Sequence, residues 1–162
     1  MSGKIVIRAM ILVLSHAVVL AFGFALGIYF LPVLTAPSTP PPAMLSAQAQ
    51  DALFTAELRR DLRGSDFLHW GEGQISLTGS QIVHEGRLAP GPDYKLYLVD
   101  QFVEHEDEFL PIKAQALLVG EVKTFDGFIV QTPAGLDLTR YNTVVIWCEA
   151  FSEFITAARY RS

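Results

Sequence analysis

From Ala9 to Leu34 the chain is apolar almost without a break, AMILVLSHAVVLAFGFALGIYFLPVL, with Ser15 and His16 its only clearly polar side chains. Roughly 20 such residues suffice to cross a bilayer, because a helix satisfies its own backbone hydrogen bonds where no water is present. Residues 9–34 are therefore expected to form a transmembrane helix. A secretory signal is the rival reading, but its apolar region usually runs about 7 to 15 residues and ends at a small-x-small cleavage site. The nearest such site, Leu34-Thr35-Ala36, is followed by Pro37, a poor residue after a cut. The expectation is an uncleaved, single-pass anchor. Lys4 and Arg8 precede the span and the first basic residue after it is Arg59. The positive-inside rule then assigns residues 1–8 to the cytoplasm and everything beyond the span to the periplasmic or extracellular side of the cytoplasmic membrane. His16 has no partner in the span and reads as a tolerated neutral imidazole.

Past the span, the segment 35–45 is proline-rich. APSTPPPA, from Ala36 to Ala43, favours a polyproline II spacer of about 3.1 Å per residue, which would lift the rest of the chain off the membrane. Residues 46–63 are expected to be a helix: Phe54, Leu58 and Leu62 stack at intervals of four, three arginines lie near its end, and Gly64 comes next. The remaining segment, 64–162, has the size of one domain with its own core. In it Asp and Glu outnumber Lys and Arg about two to one. Such an acidic balance repels phosphate backbones and argues against a nucleic-acid partner.

From Trp70 onward, short runs of β-branched and aromatic residues alternate with Gly, Pro and Asp, the pattern of an antiparallel β fold. GQISL and QIVHEGRL flank Thr78-Gly79-Ser80 as a hairpin, and YKLYLV comes after the turn Pro90-Gly91-Pro92-Asp93. LLVGEVKTF and FIVQT flank Asp126-Gly127, a strong two-residue hairpin signal, and TVVIWCEAF and FITAARY complete the set. About seven strands at this spacing predict an all-β domain, a small antiparallel β-sandwich or barrel.

The order GPDYKLYL (Gly91 to Leu98), VGEVKTFDGF (Val119 to Phe128) and TPAGLDLTRYNTVVIWCEAF (Thr132 to Phe151) resembles the DM-thirteen domain family, the extracellular module of Skeletor-type proteins often found beside DOMON-type cytochrome domains. The resemblance spans about Asp66 to Arg161. It implies a β-sandwich and a role in electron transfer or another redox reaction centred on the family's cysteine, which by position is Cys148. No cytochrome domain accompanies it here, so the resemblance implies a separate redox partner protein.

Read from the residues alone, Cys148 is the single cysteine of the chain and has no intramolecular disulfide partner. Strand alternation places it with Val144 and Ile146 on one face, opposite Val145, Trp147 and Glu149. A buried cysteine acting as a small hydrophobe, a reactive or cofactor-binding thiol, and an intermolecular disulfide all remain open. Blue copper is disfavoured because neither His nor Met comes after Cys148, and covalent c-type haem would need a second cysteine. The sequence leaves the cofactor unknown; a non-covalent haem could use a Cys148 thiolate or an imidazole of His69, His84 or His105, and the spacing selects none of them. Cys148 is thus the candidate catalytic residue, with Cys148, His69 and Trp147 as the candidate cofactor-binding set and no metal site assigned. VEHEDEF, Val103 to Phe109, clusters carboxylates around His105 but lacks a calcium-loop pattern and reads as a solvated acidic loop. Two function classes emerge: a membrane-anchored redox or electron-transfer module, or a non-enzymatic interaction module of the cell envelope.

Overall fold

A computed structural model describes residues 3–162, so the first two residues of the 1–8 segment lie outside the described chain. Helix α1, Gly3–Thr35, carries no buried residue and is long and apolar enough to cross a membrane, a test that a secretory signal also passes. At 1.5 Å per residue its 33 residues reach about 50 Å, more than the roughly 30 Å of hydrocarbon.

The proline segment is not the free stalk the sequence suggests. Pro42 opens helix α2, Pro42–Ala49, at a position where its missing N–H costs no hydrogen bond. This helix lies on the domain: Leu45 is buried and Ser46 donates to Glu85 at 2.7 Å. The end of α1 also borders the domain, with Pro32, Thr35 and Pro37 sharing a cavity with Pro92 and Tyr94. The spacer is therefore a short link between α1, whose end borders the domain, and α2, which packs on it.

The expected helix over 46–63 needs a larger correction, because α2 stops at Ala49 and Phe54–Leu58 is a strand, β1. An interval of four satisfies a period of two as well as a helical turn. Phe54, Ala56 and Leu58 face the core while Thr55 and Glu57 are exposed, so the even spacing is spent on a sheet. The open edge of β2, Gly71–Leu77, takes β1 in antiparallel register from Phe54↔Leu77 to Leu58↔Gly73, and this pairing overrides helix propensity. The arginines expected to close a helix serve elsewhere: Arg60 stacks over Trp70 and pairs with Glu72, and Arg63 bridges to Asp107 and Glu108.

Strands β3 (Gln81–Leu88), β4 (Tyr94–Val99), β5 (Leu117–Val122), β6 (Phe128–Gln131), β7 (Thr143–Cys148) and β8 (Glu153–Arg159) complete two antiparallel four-stranded sheets. Their orders are β1-β2-β3-β6 and β5-β4-β7-β8. The β2–β3 hairpin forms as expected, with the Thr78 hydroxyl accepting from Gln81 N–H. The expected β5–β6 hairpin does not form. β5 pairs with β4 and β6 with β3, so Asp126-Gly127 turns the chain from one sheet into the other. A left-handed glycine, φ 114° at Gly127, serves a hairpin and a sheet-crossing corner equally. The crossing lets Val122 and Phe128 enter one core from opposite sheets.

That core lies between the sheets and holds Ile75, Leu77, Ile82, Leu96, Leu98, Val144, Ile146 and Ile155. A second cluster covers the outer face of the second sheet, where the short helix α3, Glu106–Phe109, drives Phe109 against Trp147, Tyr97 and Phe154. All of β7 is consequently buried on both faces.

Candidate functional site

Cys148 is the last residue of β7, with Tyr94 of β4 as its direct antiparallel partner. The pairing is extended by the turns at the same end: Glu149 N–H donates to the Asp93 carbonyl at 2.9 Å. Gly91 makes the approach feasible, since a Cβ there would run into the Tyr94 ring. The two most distinctive stretches of the sequence, GPDYKLYL and VVIWCEAF, thus meet at one point in space.

They meet at a cavity of about 300 Å³, the lower end of the range for small-molecule sites. Tyr94, Cys148 and Ile155 form its floor, Leu68, His69, Pro90, Pro92 and Phe151 its sides, and Ala25, Ile28 and Tyr29 of α1 its remaining wall. No lysine or arginine lines it.

His69 reaches the cavity because Asp66 shapes its loop. One Asp66 oxygen accepts the N–H groups of Leu68 and His69, each at 2.7 Å, and the other accepts Nδ1–H of the His69 ring at 3.1 Å. Burial works against the Asp66 charge, but the Leu68 N–H and the His69 bonds outweigh it and hold the carboxyl below its usual range. With Nδ1 committed to Asp66, Nε2 is the ring nitrogen left for another partner.

Cys148 is a free thiol, 2 % exposed. Burial pushes its pKa up, and the peptide groups of Phe151, Asp93 and Ala150 offset this only in part. Burial also raises the Tyr94 hydroxyl, with Cys148 and Tyr29 adding to it. At neutral pH both groups keep their protons and are hydrogen-bond donors. A thiol of this kind is not the activated thiolate of disulfide-exchange sites.

The structure brings together two of the three residues singled out as cofactor-binding, and separates the third. Cys148 and His69 share the cavity, whereas Trp147 points to the opposite face of the sheet and packs on Phe109 at 5.0 Å between ring centres. Alternation along β7 requires that separation. The other imidazoles are also remote. His84 sits in β3, donates from Nε2 to the Glu72 carbonyl at 3.0 Å and stacks on Phe128, while His105 accepts Asp107 N–H at the start of α3. Glu149 is three-quarters covered and held by Tyr97 and by Lys113 at 2.6 Å. Tyr94 was the residue to find. Its place beside Gly91-Pro92-Asp93 was visible, but an aromatic residue in a strand reads as core.

The lining disfavours a haem held by Cys148: thiolate ligation requires a deprotonated sulfur where burial favours the thiol, and no lysine or arginine lines the cavity to pair with propionates. Among the described residues, no group of three or more His, Cys, Asp or Glu is placed to hold a metal ion.

A two-sheet antiparallel sandwich with one cysteine at a strand end, facing an apolar cavity beside a hydrophobic helix, defines a single-cysteine β-sandwich module. The chain belongs to the electron transfer DM13 family, whose model matches residues 63–160. Neither a curated relative nor a solved structure matches the chain.

Proposed function

We propose that this protein is a membrane-anchored electron-transfer module that works outside the cytoplasm, with its electron carrier held against Cys148 and the partner that takes or supplies the electrons a separate protein or molecule. The observation that carries the reading is the meeting of GPDYKLYL and VVIWCEAF at one cavity, with Tyr94 opposite Cys148 and His69 beside them. Family membership supports the electron-transfer role. The α1 helix supports the anchor, and Lys4 and Arg8 at its start support a cytoplasmic N-terminus.

Burial of Cys148 favours a bound carrier over a mixed disulfide. A partner's sulfur would have to reach an almost fully covered Sγ, and a protonated thiol is a poor nucleophile. As S–H, Cys148 supplies a weak donor to the carrier and polarisable contact on one side of it. Tyr94 supplies a stronger donor, and His69 an imidazole oriented by Asp66.

Film voltammetry of the full chain isolated from its native membrane tests this. The wild-type protein should give a reversible wave that Cys148→Ser removes or shifts while the near-ultraviolet circular dichroism stays unaltered. An identical wave from the serine variant would refute the role of Cys148.

A further inference from the structure

We propose that the Cys148 cavity takes its ligand from the bilayer, and that this ligand is a membrane-dissolved quinone, an apolar ring with two acceptor oxygens on a hydrocarbon tail. The inference rests on the electron-transfer reading above and names the class of carrier.

Three independent observations lead here. The first is position. The apolar run 9–34 ends at Leu34, so Ala25, Ile28 and Tyr29 lie in its outer third, toward the membrane surface where tyrosine is enriched. Ala25, Ile28 and Tyr29 are the α1 residues that wall the cavity, so it lies at the membrane border rather than out in the aqueous compartment. The link between α1 and α2, residues 36–41, is short, and α2 is held on the domain through Leu45 and Ser46.

The second observation is the rim. Phe151, 53 % exposed, and the exposed Leu68 give the cavity an apolar edge. Large exposed apolar residues around a cavity mouth mark an interaction surface, and beside an apolar helix that surface is lipid.

The third is the chemistry of the lining. No lysine or arginine lines the cavity to meet a lipid phosphate. The polar groups among its lining are the Tyr94 hydroxyl and the Cys148 thiol, which donate, and the His69 imidazole, whose Nδ1 is bound to Asp66. Donors suit quinone carbonyls, and the apolar walls suit the ring.

The test uses the full chain in lipid nanodiscs titrated with a short-tailed ubiquinone, with binding followed by calorimetry. Wild type should bind it saturably at one site. Ala25→Trp, which fills the cavity from the helix side without altering the β domain, should weaken binding at least tenfold. Leu20→Trp, away from the cavity on the same helix, should bind as wild type does. Partitioning no greater than into protein-free nanodiscs, or equal binding by Ala25→Trp, would overturn the inference. The two readings fail separately: absent quinone binding with a Cys148-dependent voltammetric wave removes only the quinone, and cavity-dependent binding with a wave indifferent to Cys148→Ser removes only the role of the thiol.

Discussion

On one face of β7, Val145 and Trp147 lie under a lid made by α3, where Phe109 stacks against Trp147 and Tyr97, and Lys113 ties the edge down through Glu149. On the other face, Val144, Ile146 and Cys148 all join the inter-sheet core, and Cys148, at the end of the row, also borders the cavity beside α1. Trp147 and Cys148 are alike almost fully covered, and what separates them is that Phe109 packs against Trp147 while a cavity opens beside Cys148.

Trp147→Ala should break the packed face most severely. Removing a fully buried indole costs about 3–5 kcal/mol, to be read from urea unfolding of the full chain in detergent. A loss well under 1 kcal/mol would show that the α3 lid is not part of the core. Acidification probes the first sheet, where burial holds His84 neutral against the smaller pull of the Glu72 carbonyl and of Glu85. Its folded pKa lies below its unfolded value of about 6.5. Its contribution is therefore complete above that pH and is lost as the pH falls through the folded value. Urea midpoints should drop between pH 7.5 and pH 5, and less so in His84→Gln; an equal drop in both would assign the effect elsewhere.

Cys148→Ala should cost only about 1 kcal/mol in the same unfolding assay, because it removes a single sulfur at the end of the core beside a cavity. A loss approaching that of Trp147→Ala would mean that the cysteine is packed like the other face. The smallest effect is expected from Lys113→Met, about 0.5–1 kcal/mol, since the pair with Glu149 is partly exposed; high salt should shrink the difference. Salt insensitivity would instead assign the effect to the Lys113 methylenes over Trp147 and Tyr97.

The sandwich was legible because most of its strands announce themselves by alternation between turn residues, and the face taken by Cys148 came from the same rule. Phe54–Leu58 escaped because an interval of four fits both periods, and only the free edge of β2 selects between them. Asp126-Gly127 misled because a left-handed glycine states that the chain turns but not which sheet receives it. Within the site, Cys148 was visible as the single cysteine. Its company was not: Tyr94 and His69 lie 54 and 79 positions away in the chain, and the α1 wall comes from a segment whose composition speaks only of a membrane. Trp147 was drawn in by proximity in sequence, although adjacent residues of a strand face opposite ways.

The central claim is that Cys148 borders an accessible cavity rather than sealed core, and paired thiol reagents on the folded full chain in detergent test it most directly. At alkaline pH, where more of the raised thiol is ionised, a small neutral methanethiosulfonate should modify Cys148 slowly but without denaturant, and more slowly still in Ala25→Trp, while a bulky charged reagent should react only after unfolding. Modification by neither reagent until the protein unfolds would contradict the account and return Cys148 to sealed core.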